Sequence, residues 1–303
     1  MRTEGKWKRY INGNIRVMIN IDDGTKIRFT EDDEFSADFP ESVDMKITNC
    51  CRIGCKMCHE ESTENGEHAD LNANFLNTLR PYTEMAIGGG SVTSHPEIDN
   101  FLQTLKEKRI LPSMTLHEKE LFDNLERIQK WIDDGLVKGV GISVCSPKND
   151  HILEFTNKNN NAVLHVIAGH TPLSTITSYG NMNGKILILG YKNWGRGSSY
   201  FQENLTEIRE KIKILEKNID SLLKMFDIVS FDNLALEQLN VREHVDDEMW
   251  DVCYQGCDAT HTMYIDLVKR EFAATSTSAE RYALKDTIDE MFAEVKGSMD
   301  HKI

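Results

Sequence analysis

Apolar and polar residues change rhythm along the chain, and the changes divide it into three parts. Over residues 7–30 they alternate with a period of two around the turn signals Asn12-Gly13 and Asp22-Asp23-Gly24, which predicts a small antiparallel β meander. After the acidic link EDDEF, short β-rich runs alternate with longer helical stretches. The runs are DMKIT, TEMAIGG, PSMTLHE, VKGVGISVC, NAVLHVIAG, KILILGYK and FDIVSF. Segments with helical period lie between them, among them EIDNFLQTLKEKR, ELFDNLERIQKWIDDG and ENLTEIREKIKILEKNIDSLLKMF. A strand, a crossover helix and a strand recurring every ~30 residues is the pattern of βαβ units in a parallel sheet. Several runs read as apolar on both faces, as strands covered on both sides are. Period alone does not separate an open doubly wound sheet from a closed or partial barrel. From about residue 241 the rhythm lapses, leaving a strand at TMYIDLV and an amphipathic helix around DTIDEMFAEVK. The reading is therefore a meander at 1–40, an α/β domain at 41–240 and a C-terminal extension at 241–303 that caps it.

Composition narrows the partners. With 303 residues and 40% hydrophobic content, the chain buries a substantial core. A formal net charge of −14 gives no general attraction to phosphate backbones or anionic lipid, so nucleic acid is disfavoured. No apolar run approaches the ~20 residues that cross a bilayer, and the first residues lack the apolar core of a secretory signal. A cytoplasmic protein without a membrane partner is expected. Its seven cysteines are odd in number and clustered, which in a reducing compartment points to metal binding or catalysis rather than a disulfide framework.

Four of the seven fall within ITNCCRIGCKMCHE at 47–60. Cys51, Cys55 and Cys58 are spaced C-x3-C-x2-C in a loop directly after the run DMKIT. Three thiols from one short loop can converge on one inorganic centre. Tetrahedral zinc usually takes a fourth protein ligand. An iron–sulfur cluster accepts three thiolates and keeps one iron open. The place fits as well, because parallel α/β folds bind ligands beyond the carboxyl ends of their strands. Zinc, or an iron–sulfur carrier or sensor without catalysis, remain the alternatives. Cys50 points away from its neighbour if the backbone is extended.

The cysteine spacing after the first strand, with Ile87-Gly88-Gly89-Gly90 ending the second, resembles the radical S-adenosylmethionine (radical SAM) superfamily over about 44–235. The stretches FPESVDMKITNCCRIGCKMCHEEST, AIGGGSVTSHPEI, ILGYKNWGRG, VSFDNLALEQL and TMYIDLVKREFAATSTS are similar to radical SAM proteins of phages and gut bacteria. The resemblance implies a partial (β/α)6 barrel, with the seven runs as six strands plus one. It implies a [4Fe–4S] cluster on Cys51, Cys55 and Cys58, with S-adenosylmethionine (SAM) on the open iron, and a 5′-deoxyadenosyl radical that takes hydrogen from a small-molecule or peptide substrate. A reductant such as flavodoxin or ferredoxin is implied too. Gly88, Gly89 and Gly90 stand where the family usually has Gly-Gly-Glu, so backbone carbonyls are left to meet the SAM ammonium. Met57 matches a position near adenine, Ser143 one that contacts the ribose or carboxylate, and Gly190 one that presents backbone to adenine.

Weaker candidates surround these. Arg196 reaches a carboxylate of SAM or substrate, or is solvated. His59 and Glu60 read as a solvated helix start. Cys145, just past Ser143, reads as a small core filler or a hydrogen-atom donor. Asp232 and Asn233 anchor a polar substrate or cap the following helix. Cys253 and Cys257, with TMYIDLVKREFAATSTS after them, resemble a reduced SPASM-type extension; the cysteine expected after its strand is missing, and two thiols are too few for an auxiliary cluster.

Overall fold

A computed structural model describes residues 6–180, 184–254 and 256–300; the outermost residues of the 1–40 and 241–303 segments lie outside these ranges. Strands β1 (Trp7–Asn12), β2 (Ile15–Asn20) and β3 (Lys26–Phe29) form a separate antiparallel sheet in that order. Its two tight connections are the Asn12-Gly13 and Asp22-Asp23-Gly24 turns, where Gly13 and Gly24 take φ of 62° and 77°, torsions that cost glycine little.

The main sheet has ten strands. Those introduced by the repeating units are β4 (Ser42–Thr48), β5 (Glu84–Gly89), β6 (Leu111–His117), β7 (Gly139–Ser143), β8 (Ala162–Ile167), β9 (Lys185–Leu189) and β10 (Ile228–Phe231), and the C-terminal segment adds β11 (Thr262–Asp266), β12 (Glu271–Ala273) and β13 (Tyr282–Ala283). The order is β10-β9-β8-β7-β6-β5-β4-β11-β12-β13. All neighbours from β10 through β4 to β11 pair in parallel, and β12 and β13 are antiparallel. From β4 to β10 each strand lies beside its predecessor, so the sheet is wound in one direction. Right-handed crossovers then place the connecting helices on one face. That excludes the doubly wound alternative, in which strand order reverses.

The exposure pattern follows. In β4, Val43, Met45 and Ile47 are completely buried, while Ser42, Asp44, Lys46 and Thr48 alternate with them and point to the other face. β5, β8 and β9 alternate likewise between buried and half-buried residues. The expectation of strands apolar on both faces is thereby corrected: one face packs under helices and the other carries polar groups.

The helices are α1 (Ile98–Glu107), α2 (Glu118–Asp123), α3 (Leu125–Asp133), α4 (Asp150–Lys158), α5 (Leu173–Ser178), α6 (Arg196–Glu203), α7 (Leu205–Glu216), α8 (Ile219–Met225), α9 (Asn233–Gln238), α10 (Asp247–Cys253) and α11 (Ile288–Asp300). Two stretches whose periodicity predicts continuous helices are broken. Asn124 separates α2 from α3, Asn204 separates α6 from α7, and Asn218 precedes α8. At each break the asparagine side-chain N–H donates to the carbonyl four residues back, on Glu120, Tyr200 and Ile214. At Asn124 and Asn218 the backbone N–H turns instead to the carbonyl three residues back, on Leu121 and Leu215, and the side chain takes the acceptor that would continue the helix; at Asn204 the backbone N–H shares the Tyr200 carbonyl with the side chain.

The 241–303 segment does not stand apart from the sheet. β11 pairs along β4, and α11 buries Ile288, Met291, Phe292 and Val295. No described helix is long and apolar enough to cross a membrane.

Candidate active site

Parallel pairing brings six strand ends to one mouth. The cysteine loop leaves β4, Gly88-Gly89-Gly90 ends β5, His117 ends β6, Ser143 ends β7, Gly190 follows β9 and Asp232 follows β10. A cleft lined by Asp22, Lys138 and Asn161 lies instead by the opposite, N-terminal ends of β7 and β8, away from the thiols.

Cys51, Cys55 and Cys58 are half-buried and free. Burial pushes the Cys55 thiol up, and the charges of Cys58 and Cys51 push it further; the three therefore share one neighbourhood. Cys50 takes no part in this. Its thiol hydrogen-bonds to the Glu64 carbonyl at 3.5 Å. Ser91 Oγ stands 3.6 Å from Cys51 Sγ, a hydrogen-bond donor of the kind that tunes a ligating sulfur.

The loop is gripped from two sides. On one, Gly90 N–H donates to Thr48 O and Ser91 N–H to Cys50 O, each at 2.7 Å. A Cβ on Gly90 would fall 2.3 Å from Cys50 O, and one on Gly89, whose φ is 111°, would fall 2.4 Å from Thr48 O. These two glycines let the end of β5 touch the cysteine loop, a role the sequence did not suggest. A Cβ on Gly88 meets nothing within 4 Å, so of the three it alone faces open space. We expect Gly90→Ala to displace the loop while the sheet persists, so that Cys51, Cys55 and Cys58 alkylate at least severalfold faster with an unchanged circular dichroism spectrum.

On the other side stands the connection from β9 to α6. The Arg196 guanidinium donates to Cys55 O at 3.2 Å and to Ser62 O at 2.9 Å, so it clamps loop carbonyls instead of reaching a carboxylate. Gly195, with φ of 54°, lets that connection pass His59 O, which a Cβ would approach to 2.5 Å. Met57 is half-buried within the gripped loop, its carbonyl facing Gly197.

Gly190 sits against Leu234, and its N–H donates to Asp232 Oδ1 at 2.9 Å. Asp232 also accepts from Ala235 N–H, capping α9. It is therefore Asp232, rather than Asn233, that caps; Asn233 donates to Asp258 at 2.7 Å. Both backbone groups of Tyr191 are taken by the Gln238 amide. Ser143 is half-buried between His117 and His165 on the neighbouring strands. Cys145 is exposed, not a core filler. Cys253 and Cys257 are also exposed, Cys253 at the end of α10.

Sequence reasoning passed over the polar face of β4. Lys46 Nζ lies 2.8 Å from Glu60 and 2.9 Å from Asp266, all three nearly buried, and Tyr264 Oη donates to Glu60 at 3.1 Å. Burial opposes ionising Glu60, but the His59 hydrogen bond and the Lys46 charge outweigh it and hold the carboxyl well below its usual range. Burial and Lys192 push His59 down, so it contributes as a neutral imidazole. His59 and Glu60 are thus network members, and the residue after them, Glu61, has φ of 54°, not the start of a helix. Asp44 is accessible to solvent on this face, with protein atoms crowded around its carboxyl. Burial pushes its carboxyl up, Lys192 pulls it down, and Asp232, Asp258 and Glu60 push it up again. The alternation Ser42, Asp44, Lys46 in DMKIT was the available signal.

The fold and mouth define an α/β protein whose singly wound parallel sheet carries a three-thiol loop at the carboxyl ends of its strands. No family model matches the chain, and no curated protein matches it in sequence. Solved structures match it in fold. Streptococcus suis SuiB bound to S-adenosylmethionine aligns with a TM-score of 0.61 at 12% identity, covering 97% of this chain and 89% of that one. SuiB bound to its precursor peptide SuiA gives 0.59 at 12%, covering 96% and 90%, and SuiB alone gives 0.54 at 12%, covering 95% and 87%. At this identity the likeness shows a shared fold.

Proposed function

We propose that the protein is a radical SAM enzyme that holds one [4Fe–4S] cluster on Cys51, Cys55 and Cys58, binds SAM beside it and abstracts hydrogen from a peptide. The observation that carries this reading is the three-thiol loop, gripped by the ends of β5 and β9 at the mouth of a sheet with the SuiB fold. SuiB binds SAM and a precursor peptide, which supports the same pair of ligands here. In this reading the sheet curls into a partial (β/α)6 barrel and its polar face becomes the interior. A cytoplasmic setting and an electron donor of the flavodoxin or ferredoxin class belong to the proposal.

The donor set fits the cluster. Among the described residues, no group of three His, Cys, Asp or Glu side chains is gathered around one metal ion. A cubane takes one thiolate on each of three irons, and Cys51, Cys55 and Cys58 offer three soft donors from one loop. Bound there, the cluster supplies the electron that cleaves SAM into methionine and a 5′-deoxyadenosyl radical. The protein's part is to bind, orient and exclude water. Arg196 and Gly90 hold the loop, and Ser91 donates towards Cys51. Gly88 to Gly90 offer backbone to the SAM ammonium, Met57 packs near adenine and Ser143 meets the ribose or carboxylate. Gly190 contributes through its carbonyl, since its N–H is given to Asp232.

Protein purified without oxygen is expected to contain iron and acid-labile sulfide and, with dithionite, to convert SAM to 5′-deoxyadenosine. Stoichiometric zinc in place of iron would return the site to a structural metal. Gly88→Ala should keep its iron but bind SAM at least several times more weakly, read by equilibrium dialysis.

A further inference from the structure

In the N-terminal sheet the apolar residues are not confined to the inner face. Ile15, Val17 and Ile19 of β2 are buried beneath it. In β3 the usual alternation is inverted. Lys26 and Arg28 turn inward, where Lys26 pairs with Glu84 at 2.7 Å and Arg28 with Glu41 at 3.0 Å, while Ile27 and Phe29 turn outward, 53% and 54% exposed. The solvated face of an antiparallel sheet ordinarily carries the polar half of the pattern. Register sets Ile27 and Phe29 beside Met18 and Arg16 of β2, and these beside Arg9 and Ile11 of β1. Ile11 is 71% exposed and Trp7 39%. The outward face is therefore an apolar patch across all three strands, and such patches mark interaction sites.

Position and charge indicate what covers it. The inner face of this sheet sits at the N-terminal ends of the main strands: Glu84 begins β5, Glu41 precedes β4, and Asn161, just before β8, donates to the Asp22 carbonyl. The outward face thus looks away from the mouth that holds the cysteine loop, and a ligand seated in that mouth does not cover it. Both signs of charge border the patch. Arg16 is paired with Glu31 at 3.2 Å. Arg9, on the β1 side, and Asp33 and Glu34, in the exposed link that leaves β3, have no side-chain partner among the described residues. An apolar centre with a free cation on one flank and free carboxylates on the other is complementary to itself, as a two-fold contact between identical chains requires.

We propose that the outward face of the β1–β3 sheet is the interface of a homodimer. The two sheets pack face to face about a two-fold axis, with Arg9 of each chain towards the acidic link of the other. Sheet-on-sheet packing places Ile11, Ile27 and Phe29 between layers about 10 Å apart. The net charge of −14 per chain opposes association at long range, but physiological salt confines that repulsion to about 8 Å, and the charges that meet at the interface are of opposite sign. The two mouths then open away from each other, each free for its own ligands. The dimer does not depend on the radical reading above.

Sedimentation equilibrium of the full chain at physiological salt, over protein concentrations up to the submillimolar range, tests this. The wild-type chain should sediment as a dimer. Ile11→Glu and Phe29→Glu, which place carboxylates on the face and leave the core untouched, should raise the dissociation constant at least tenfold with an unchanged circular dichroism spectrum. Arg9→Glu should weaken association severalfold, and adding Asp33→Lys and Glu34→Lys to it should restore association in part, a rescue that pairing between copies explains. A wild-type chain that stays monomeric at every concentration overturns the proposal; if that monomer cosediments with phosphatidylserine vesicles and Ile11→Glu does not, the face belongs to a membrane instead. A dimer as tight in Ile11→Glu and Phe29→Glu as in the wild type also overturns it, because the interface then lies elsewhere.

Discussion

Replacing Cys51, Cys55 or Cys58 with alanine is expected to reduce both cluster absorbance and SAM cleavage to background, while Cys50→Ala keeps both. The asymmetry follows from geometry: the charges acting on Cys55 come from Cys58 and Cys51, whereas Cys50 turns to the Glu64 carbonyl. Two thiolates cannot retain a cubane that needs three, so each single loss should be nearly complete. Iron analysis and visible absorbance of proteins purified without oxygen would check it. Full iron in Cys51→Ala would end the assignment.

The second large effect concerns stability. Lys46 is paired with Glu60 and Asp266 where all three side chains are nearly excluded from solvent. Lys46→Met keeps the length of the side chain but leaves two buried carboxylates without their cation, a loss of about 3–5 kcal/mol. For a chain of 303 residues that corresponds to a fall in Tm of roughly 5–8 °C. The pH dependence has a definite sign. The folded pKa of Glu60 lies below its unfolded value, so its contribution is present above the ordinary carboxylate range and is lost as pH falls through the folded value, in strong acid. Thermal unfolding at neutral pH followed by circular dichroism would show the shift, and an unchanged Tm would mean that the network contributes no net stability.

Much of this was legible in the residues. The seven β-rich runs coincide with β4 to β10; in β5, β8 and β9 buried residues recur at every second position, a signal that survives without tertiary context. TMYIDLV and the final amphipathic segment are likewise a strand and a helix. The cysteine loop stood out as a candidate site because no other part of the chain concentrates thiols so densely. What escaped depends on residues far apart in sequence. The helix breaks at Asn124 and Asn218 turn on whether a side-chain amide captures one carbonyl, a local choice that apolar periodicity does not encode. β11 joins β4 across more than two hundred residues, so the C-terminal segment read as a cap when it also extends the sheet. Arg196 looked available to a ligand until its partners, Cys55 and Ser62 carbonyls, came into view. Lys46 and Asp44 read as ordinary alternation in a strand. Only the single direction of winding gathers them on one polar face of the sheet.

The central claim is that three thiols hold a cluster and leave one iron open to SAM. Electron paramagnetic resonance of the dithionite-reduced protein tests it most directly. The account predicts the signal of one reduced [4Fe–4S] cluster per chain, removed by Cys55→Ala, whose g values shift when SAM is added because SAM occupies the open iron. A cluster signal that SAM leaves unchanged, or reduced protein without a cluster signal, would contradict it.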